Sequence, residues 1–139
     1  MFKKTIKYTD FNDVEVKEDF YFNLTKAELL EMETRSNGGL KAKLERLINT
    51  RDISAIMELF KEIITSSYGV KSDDGKRFIK NQEVLDAFMQ SNAYSELYVE
   101  LASNSDAAVE FITHIIPSDL AKQIDQKQIE ALKNGNLTV

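Results

Sequence analysis

Cysteine and tryptophan are absent from this 139-residue sequence, and there is one histidine (His114) and one proline (Pro117). Without cysteine there are no disulfides, zinc ribbons, iron–sulfur clusters or thiol nucleophiles. One histidine rules out a two-histidine metal site and makes any histidine-based triad depend on His114. Long apolar runs are missing as well. Nothing approaches the roughly 18 consecutive apolar residues of a membrane span. Met1-Phe2-Lys3-Lys4-Thr5 is followed by no apolar stretch of the kind a secretory signal needs. A reducing, cytoplasmic setting is the expectation, with no membrane partner. Basic residues are in the minority, 18 against 23 acidic ones, for a net charge of −5. Free-standing nucleic-acid binding is therefore not expected, because neutralising phosphates takes a basic face.

The residues that are present describe an ordinary globular chain, 42% hydrophobic and 29% charged. Its length suits one domain that needs no covalent staple. There is no Pro/Gly/Ser-rich linker, internal repeat or low-complexity tract.

The first 22 residues alternate with a period of two. Phe2, Ile6 and Tyr8 share one parity, and Lys3, Thr5 and Lys7 the other; Val14, Val16, Phe20 and Phe22 then repeat the pattern. Thr9 to Asp13 lies between the two runs and carries turn-forming Asp and Asn. The pattern predicts an antiparallel hairpin over about 2–22, with one apolar face that must pack on something.

From Thr25 the period becomes helical. Thr25-Lys26-Ala27-Glu28 is a capping box. Asn37-Gly38-Gly39 is expected to stop the first helix, and Leu40, Leu44, Leu47 and Ile48 predict a second to about Asn49. Asp52 caps a third, in which Ile53, Ile56, Met57, Phe60, Ile63 and Ile64 form a continuous stripe. Tyr68-Gly69 should end it, with Gly69 as the left-handed cap. Residues 71–80 read as a loop or small hairpin. Asn81, then Ser91 or Asn92, then Ser105 are expected to cap three further helices, the last closed by Pro117. A tail helix can restart at Ser118 or Asp119. The expected fold is mainly α: an N-terminal hairpin, a bundle of five or six short helices over residues 1–117, and a C-terminal helix or tail over 118–139.

No segment carries a convincing catalytic or metal pattern. Five residues separate Gly69 from Gly75, where a phosphate loop needs four, and Arg77 stands where a magnesium-binding hydroxyl is required. Ser72-Asp73-Asp74-Gly75 lacks the alternating acids and closing Glu of a calcium loop. His114 reads as a helix-face residue near a helix C-terminus. The carboxylates fall at helix-surface spacings, and no pair stands out for acid–base work. The chain is accordingly read as non-enzymatic, with no catalytic residues, metal or cofactor.

The aromatics are more informative. Phe60, Phe88 and Phe111 lie on apolar stripes and read as core. Tyr94 and Tyr98 stand four apart beside Leu97 and Leu101, a spacing that suits a core edge or a protein-binding groove. With Met32, Met57 and Met89 they offer the adaptable apolar surface of helix-binding proteins. Tyr94, Leu97, Tyr98 and Leu101 are the expected protein-binding residues.

The order of segments carries a family resemblance. Phe2-Lys3-Lys4-Thr5-Ile6-Lys7-Tyr8-Thr9-Asp10-Phe11 leads into Glu18-Asp19-Phe20-Tyr21-Phe22-Asn23-Leu24-Thr25-Lys26-Ala27-Glu28-Leu29. Gly38-Gly39, Ser67-Tyr68-Gly69, Asp74-Gly75-Lys76-Arg77-Phe78, Ala87-Phe88, Ala93-Tyr94-Ser95-Glu96-Leu97 and Ile115-Ile116-Pro117 follow. Over roughly residues 2–120 this succession resembles the tail assembly chaperones of long-tailed phages and prophages of Gram-positive bacteria. The resemblance implies a non-enzymatic protein that binds the tape measure protein, helps recruit tail tube protein around it and is absent from the finished virion. It also implies the cytoplasm of the bacterial host. A homo-oligomer, which would gain avidity along a long client, and a longer frameshifted form are further expectations. The alternative is a structural virion component, such as a tail-completion or connector protein.

Overall fold

Residues 1–35 and 38–115 are described by the computed structural model of the chain. The two alternating runs form β1 (Phe2–Thr9) and β2 (Glu15–Phe22), antiparallel, with Phe2 opposite Phe22 and Thr9 opposite Glu15. Asp10 builds the turn between them. Its carboxylate accepts from the amides of Asn12 (2.8 Å) and Val14 (3.0 Å), and Asp13 takes a left-handed φ of 59°.

Helices follow at α1 (Lys26–Arg35), α2 (Leu40–Thr50) and α3 (Ile53–Ser67). The capping box forms as read: the Thr25 amide donates to Glu28 (3.0 Å) and the Glu28 amide to the Thr25 hydroxyl (3.1 Å). Gly38 and Gly39 both take positive φ between α1 and α2. Asn37 lies outside the described residues. Asp52 caps α3 by accepting from the Ala55 amide at 3.1 Å.

The sheet is larger than the expected hairpin. α3 runs directly into β3 (Tyr68–Lys71), which pairs with β2, and β4 (Phe78–Ile79) pairs with β3. The result is a four-stranded antiparallel sheet in the order β1-β2-β3-β4. Residues 68–79 are thus a second hairpin. Gly69 is not the left-handed cap of α3. Tyr68 is already extended at the helix end, and Gly69 lets β4 approach. A Cβ there would lie 2.6 Å from Phe78 Cε2 and 2.9 Å from the Ile79 carbonyl oxygen.

Three helices complete the described chain: α4 (Gln82–Met89), α5 (Asn92–Ser103) and α6 (Ser105–Ile115). Asn81 caps α4 through the Val84 amide, at 2.8 Å. Ser91 precedes α5 without a side-chain cap, because its hydroxyl donates back to the Phe88 carbonyl. The capping side chain of α6 is Asn104, which accepts from Ala107 at 3.1 Å; Ser105 is already helical. The closure at Pro117 and the tail over 118–139 lie outside the described residues.

α5 and α6 pack on β1, and α4 packs on β3. The core lies between these helices, α3 and one face of the sheet. Phe22, Ile56, Ile64, Leu97, Leu101, Phe111 and Ile115 are among its fully buried side chains. The other sheet face is open: Lys3, Thr5, Lys7, Glu15, Lys17 and Asp19 are all exposed.

Candidate partner-binding site

An aromatic series runs from the first strand through the core to the edge of α5. Phe2 meets Phe111 edge-on at 5.7 Å, Phe111 meets Phe22 at 5.2 Å, and Phe22 meets Phe88 at 5.9 Å. Phe88 stacks on Tyr68 at 4.2 Å and meets Tyr94 edge-on at 5.7 Å; Tyr94 lies 6.0 Å from Tyr98. These are the spacings at which ring quadrupoles attract. The two α5 tyrosines therefore form the half-exposed end of a rigid, core-anchored series.

The four residues expected to bind protein fall into two pairs. Leu97 and Leu101 are 0% and 1% exposed and hold α5 to the core, so they present no surface. Tyr94 and Tyr98 flank that buried line and stay partly accessible. Burial, then the neighbouring Tyr98 phenol, raises the Tyr94 pKa above its ordinary value. α5 also exposes Val99, at 59%.

A groove of about 370 Å³ lies elsewhere, where α1, the end of α3 and the start of α4 converge. Leu24, Met32, Tyr68 and Leu85 supply its apolar lining, and Glu28, Glu31, Arg35 and Lys80 its charged lining. Lys80 donates to both Glu28 oxygens (2.8 and 2.7 Å) and to the Asn23 carbonyl (2.7 Å). Burial pushes the Glu28 pKa up, but the Lys80 ammonium and the Thr25 amide outweigh it and leave it below the ordinary value. The groove was not foreseen from sequence. Its one local signal is the capping-box glutamate, whose partner is 52 residues away.

Two further cross-element contacts escaped the sequence pattern. Lys4 lies on the inward parity of β1 and reaches Glu100 on α5 at 2.9 Å. Glu18, exposed but on the apolar parity of β2, accepts from the Tyr8 hydroxyl at 2.6 Å. That hydrogen bond, with lesser help from burial and nearby carboxylates, pushes the Tyr8 phenol up to about 12. His114 is exposed, stacks on Phe2 at 5.5 Å, and places Nδ1 2.9 Å from the Glu110 carbonyl oxygen.

The turn at Ser72–Gly75 closes β3 on β4. The Asp74 carboxylate accepts from the Ser72 hydroxyl and the Lys76 amide, while Gly75 takes positive φ. No cluster of three metal-ligating side chains occurs among the described residues. No described helix is long and apolar enough to cross a membrane. The arrangement offers non-covalent contact surfaces: a half-exposed aromatic edge, an amphipathic groove and an open sheet face.

A family model described as phage tail assembly chaperone matches residues 1–138. No curated protein and no solved structure matches the chain.

Proposed function

The chain belongs to the phage tail assembly chaperone family, and on that premise we propose that it binds the tape measure protein and helps assemble tail tube protein around it. The family match over residues 1–138 is the observation that carries this reading. The tyrosine edge of α5 supports it physically. A long helical client is best gripped by preorganised aromatic surface, since rigid Tyr side chains add contact area at low entropic cost.

In this proposal Tyr94 and Tyr98 touch the client, and buried Leu97 and Leu101 keep their helix in place. Several copies along one client, as a homo-oligomer or beside a longer frameshifted form, multiply weak contacts into firm binding. The work is done in the host cytoplasm, with no chemical step, and the protein leaves before the virion is complete. Mass spectrometry of purified virions, beside pull-down from infected cells, tests this. Recovery with the tape measure protein in cells and absence from virions is the expected result. A stoichiometric presence in virions would instead mark a structural component.

A further inference from the structure

We propose that the open face of the sheet, centred on Lys7 and Lys17, docks an acidic segment of a partner polypeptide. The inference rests on the chaperone reading only in taking the partner to be a polypeptide.

Register is the first observation. Lys7 and Lys17 are direct cross-strand partners on the exposed face of β1 and β2. Like charges set opposite each other in a ladder repel and destabilise the sheet. Neither lysine has an acidic partner within ion-pairing distance among the described residues. Lys3 extends the positive row along β1. Two aromatic side chains share the face. Tyr21 lies opposite Lys3 with the Lys71 ammonium 4.5 Å from its ring centroid, and Phe78 on β4 lies opposite Lys71. The face thus combines lysines that make no ion pair among the described residues with half-buried aromatic side chains, a type enriched in protein interfaces.

Charge segregation is the second observation. Residues 81–115 contain Glu83, Asp86, Glu96, Glu100, Asp106 and Glu110 and no Lys or Arg, in a chain of net charge −5. The helices in that stretch pack on the opposite side of the sheet. An acidic partner is repelled by the side formed by α4, α5 and α6 and attracted to the lysine face, which steers its approach. Glu15 and Asp19 are interleaved with the lysines on this face. A polypeptide can space its carboxylates between them, whereas a nucleic-acid backbone carries a charge at every residue.

The test is fluorescence anisotropy on the full chain, with a fluorescein-labelled peptide of alternating Glu and Leu as probe and labelled oligothymidylate in parallel. The wild type should bind the peptide and lose it as salt is raised. Lys17→Glu should weaken binding about tenfold. Lys61→Glu, which leaves the same net charge but lies on α3, should change it little. Lys17→Gln removes the repulsion across the ladder without setting a third acid between Glu15 and Asp19 on that strand; it should melt at the same temperature or higher, and it repeats the binding comparison. Equal peptide binding by Lys17→Glu and Lys61→Glu would overturn the proposal, as would no binding by the wild type. Tighter binding of oligothymidylate overturns the choice of a polypeptide. Self-association of the wild type that Lys17→Glu abolishes overturns the choice of a foreign partner, since a second copy's acidic helices would then be the occupant. Because the probe is synthetic, none of these results bears on whether the chain binds a tail protein through α5.

Discussion

Lys80 Nζ lies 2.8 and 2.7 Å from the two carboxylate oxygens of Glu28, across 52 residues of sequence. The pair joins the start of α1 to the junction between β4 and α4, and the same ammonium holds the Asn23 carbonyl. Both side chains are partly exposed, 22% for Lys80 and 34% for Glu28, so solvent screens the pair below the value of a buried one. Lys80→Met is expected to cost about 1–2 kcal/mol of stability, including the loss of the bond to Asn23. Urea denaturation measures it, with the midpoint moving and the slope unchanged.

The same pair sets a pH dependence. Glu28 ionises below its ordinary value of 4.5 in the folded chain. The unfolded chain therefore binds a proton there more readily, and stability rises with pH through that range. The pair's contribution is full at neutral pH and is lost as pH falls below about 4.5 through the folded pKa. Wild type should thus exceed Glu28→Gln in stability by a margin that shrinks on acidification. Melting curves from pH 7 down to about pH 3 check this.

Tyr8 gives the opposite sign. Its phenol is pushed up to about 12 by the hydrogen bond to Glu18. Folding then favours the protonated phenol, so this contribution is present below pH 10 and lost as pH rises towards 12. Burial also raises the Tyr68 and Tyr94 phenols, so absorbance titration should show several late-ionising tyrosines in wild type, and Glu18→Gln should move one tyrosine's share of that absorbance back towards 10.

Gly69→Ala should be destabilising by about 1–3 kcal/mol, since the nearest obstacles include the Ile79 backbone, which cannot swing aside as a side chain can. The loss should concentrate on the β3–β4 edge. Amide exchange should accelerate at Val70 and Ile79, which are paired there, more than within the β1–β2 ladder.

The hairpin, the helix stripes and the caps at Thr25, Asp52 and Asn81 were legible because each is set within a few residues: alternation, period, a side-chain oxygen reaching a nearby amide. What was not legible depends on distant partners. Val70 and Ile79 sit in short segments whose strand character comes from pairing with one another and, through β3, with β2. Gly69 looks like a helix cap until Phe78 is placed against it. Lys4 and Glu18 break the apolar parity locally, and their partners Glu100 and Tyr8 become visible only when α5 and β1 are in position. At the candidate site the sequence grouped four residues on one stripe. The fold turned Leu97 and Leu101 inward and left the tyrosines at the rim.

Tyr94 and Tyr98 differ as experimental handles. Tyr94 packs edge-on against Phe88, so Tyr94→Ala should cost about 2 kcal/mol as well as altering the surface. Tyr98 also packs on the edge of the core, but its ring meets Tyr94 rather than a buried ring, so Tyr98→Ser should cost less than Tyr94→Ala and leave the chain folded.

The most direct measurement is the soluble yield of the tape measure protein co-expressed with this chain, or with its Tyr98→Ser variant. Wild type should raise the soluble fraction severalfold and co-purify with the client, and folded Tyr98→Ser should do so markedly less. A tape measure protein equally insoluble with and without wild type, and absent from its pull-down, would contradict it.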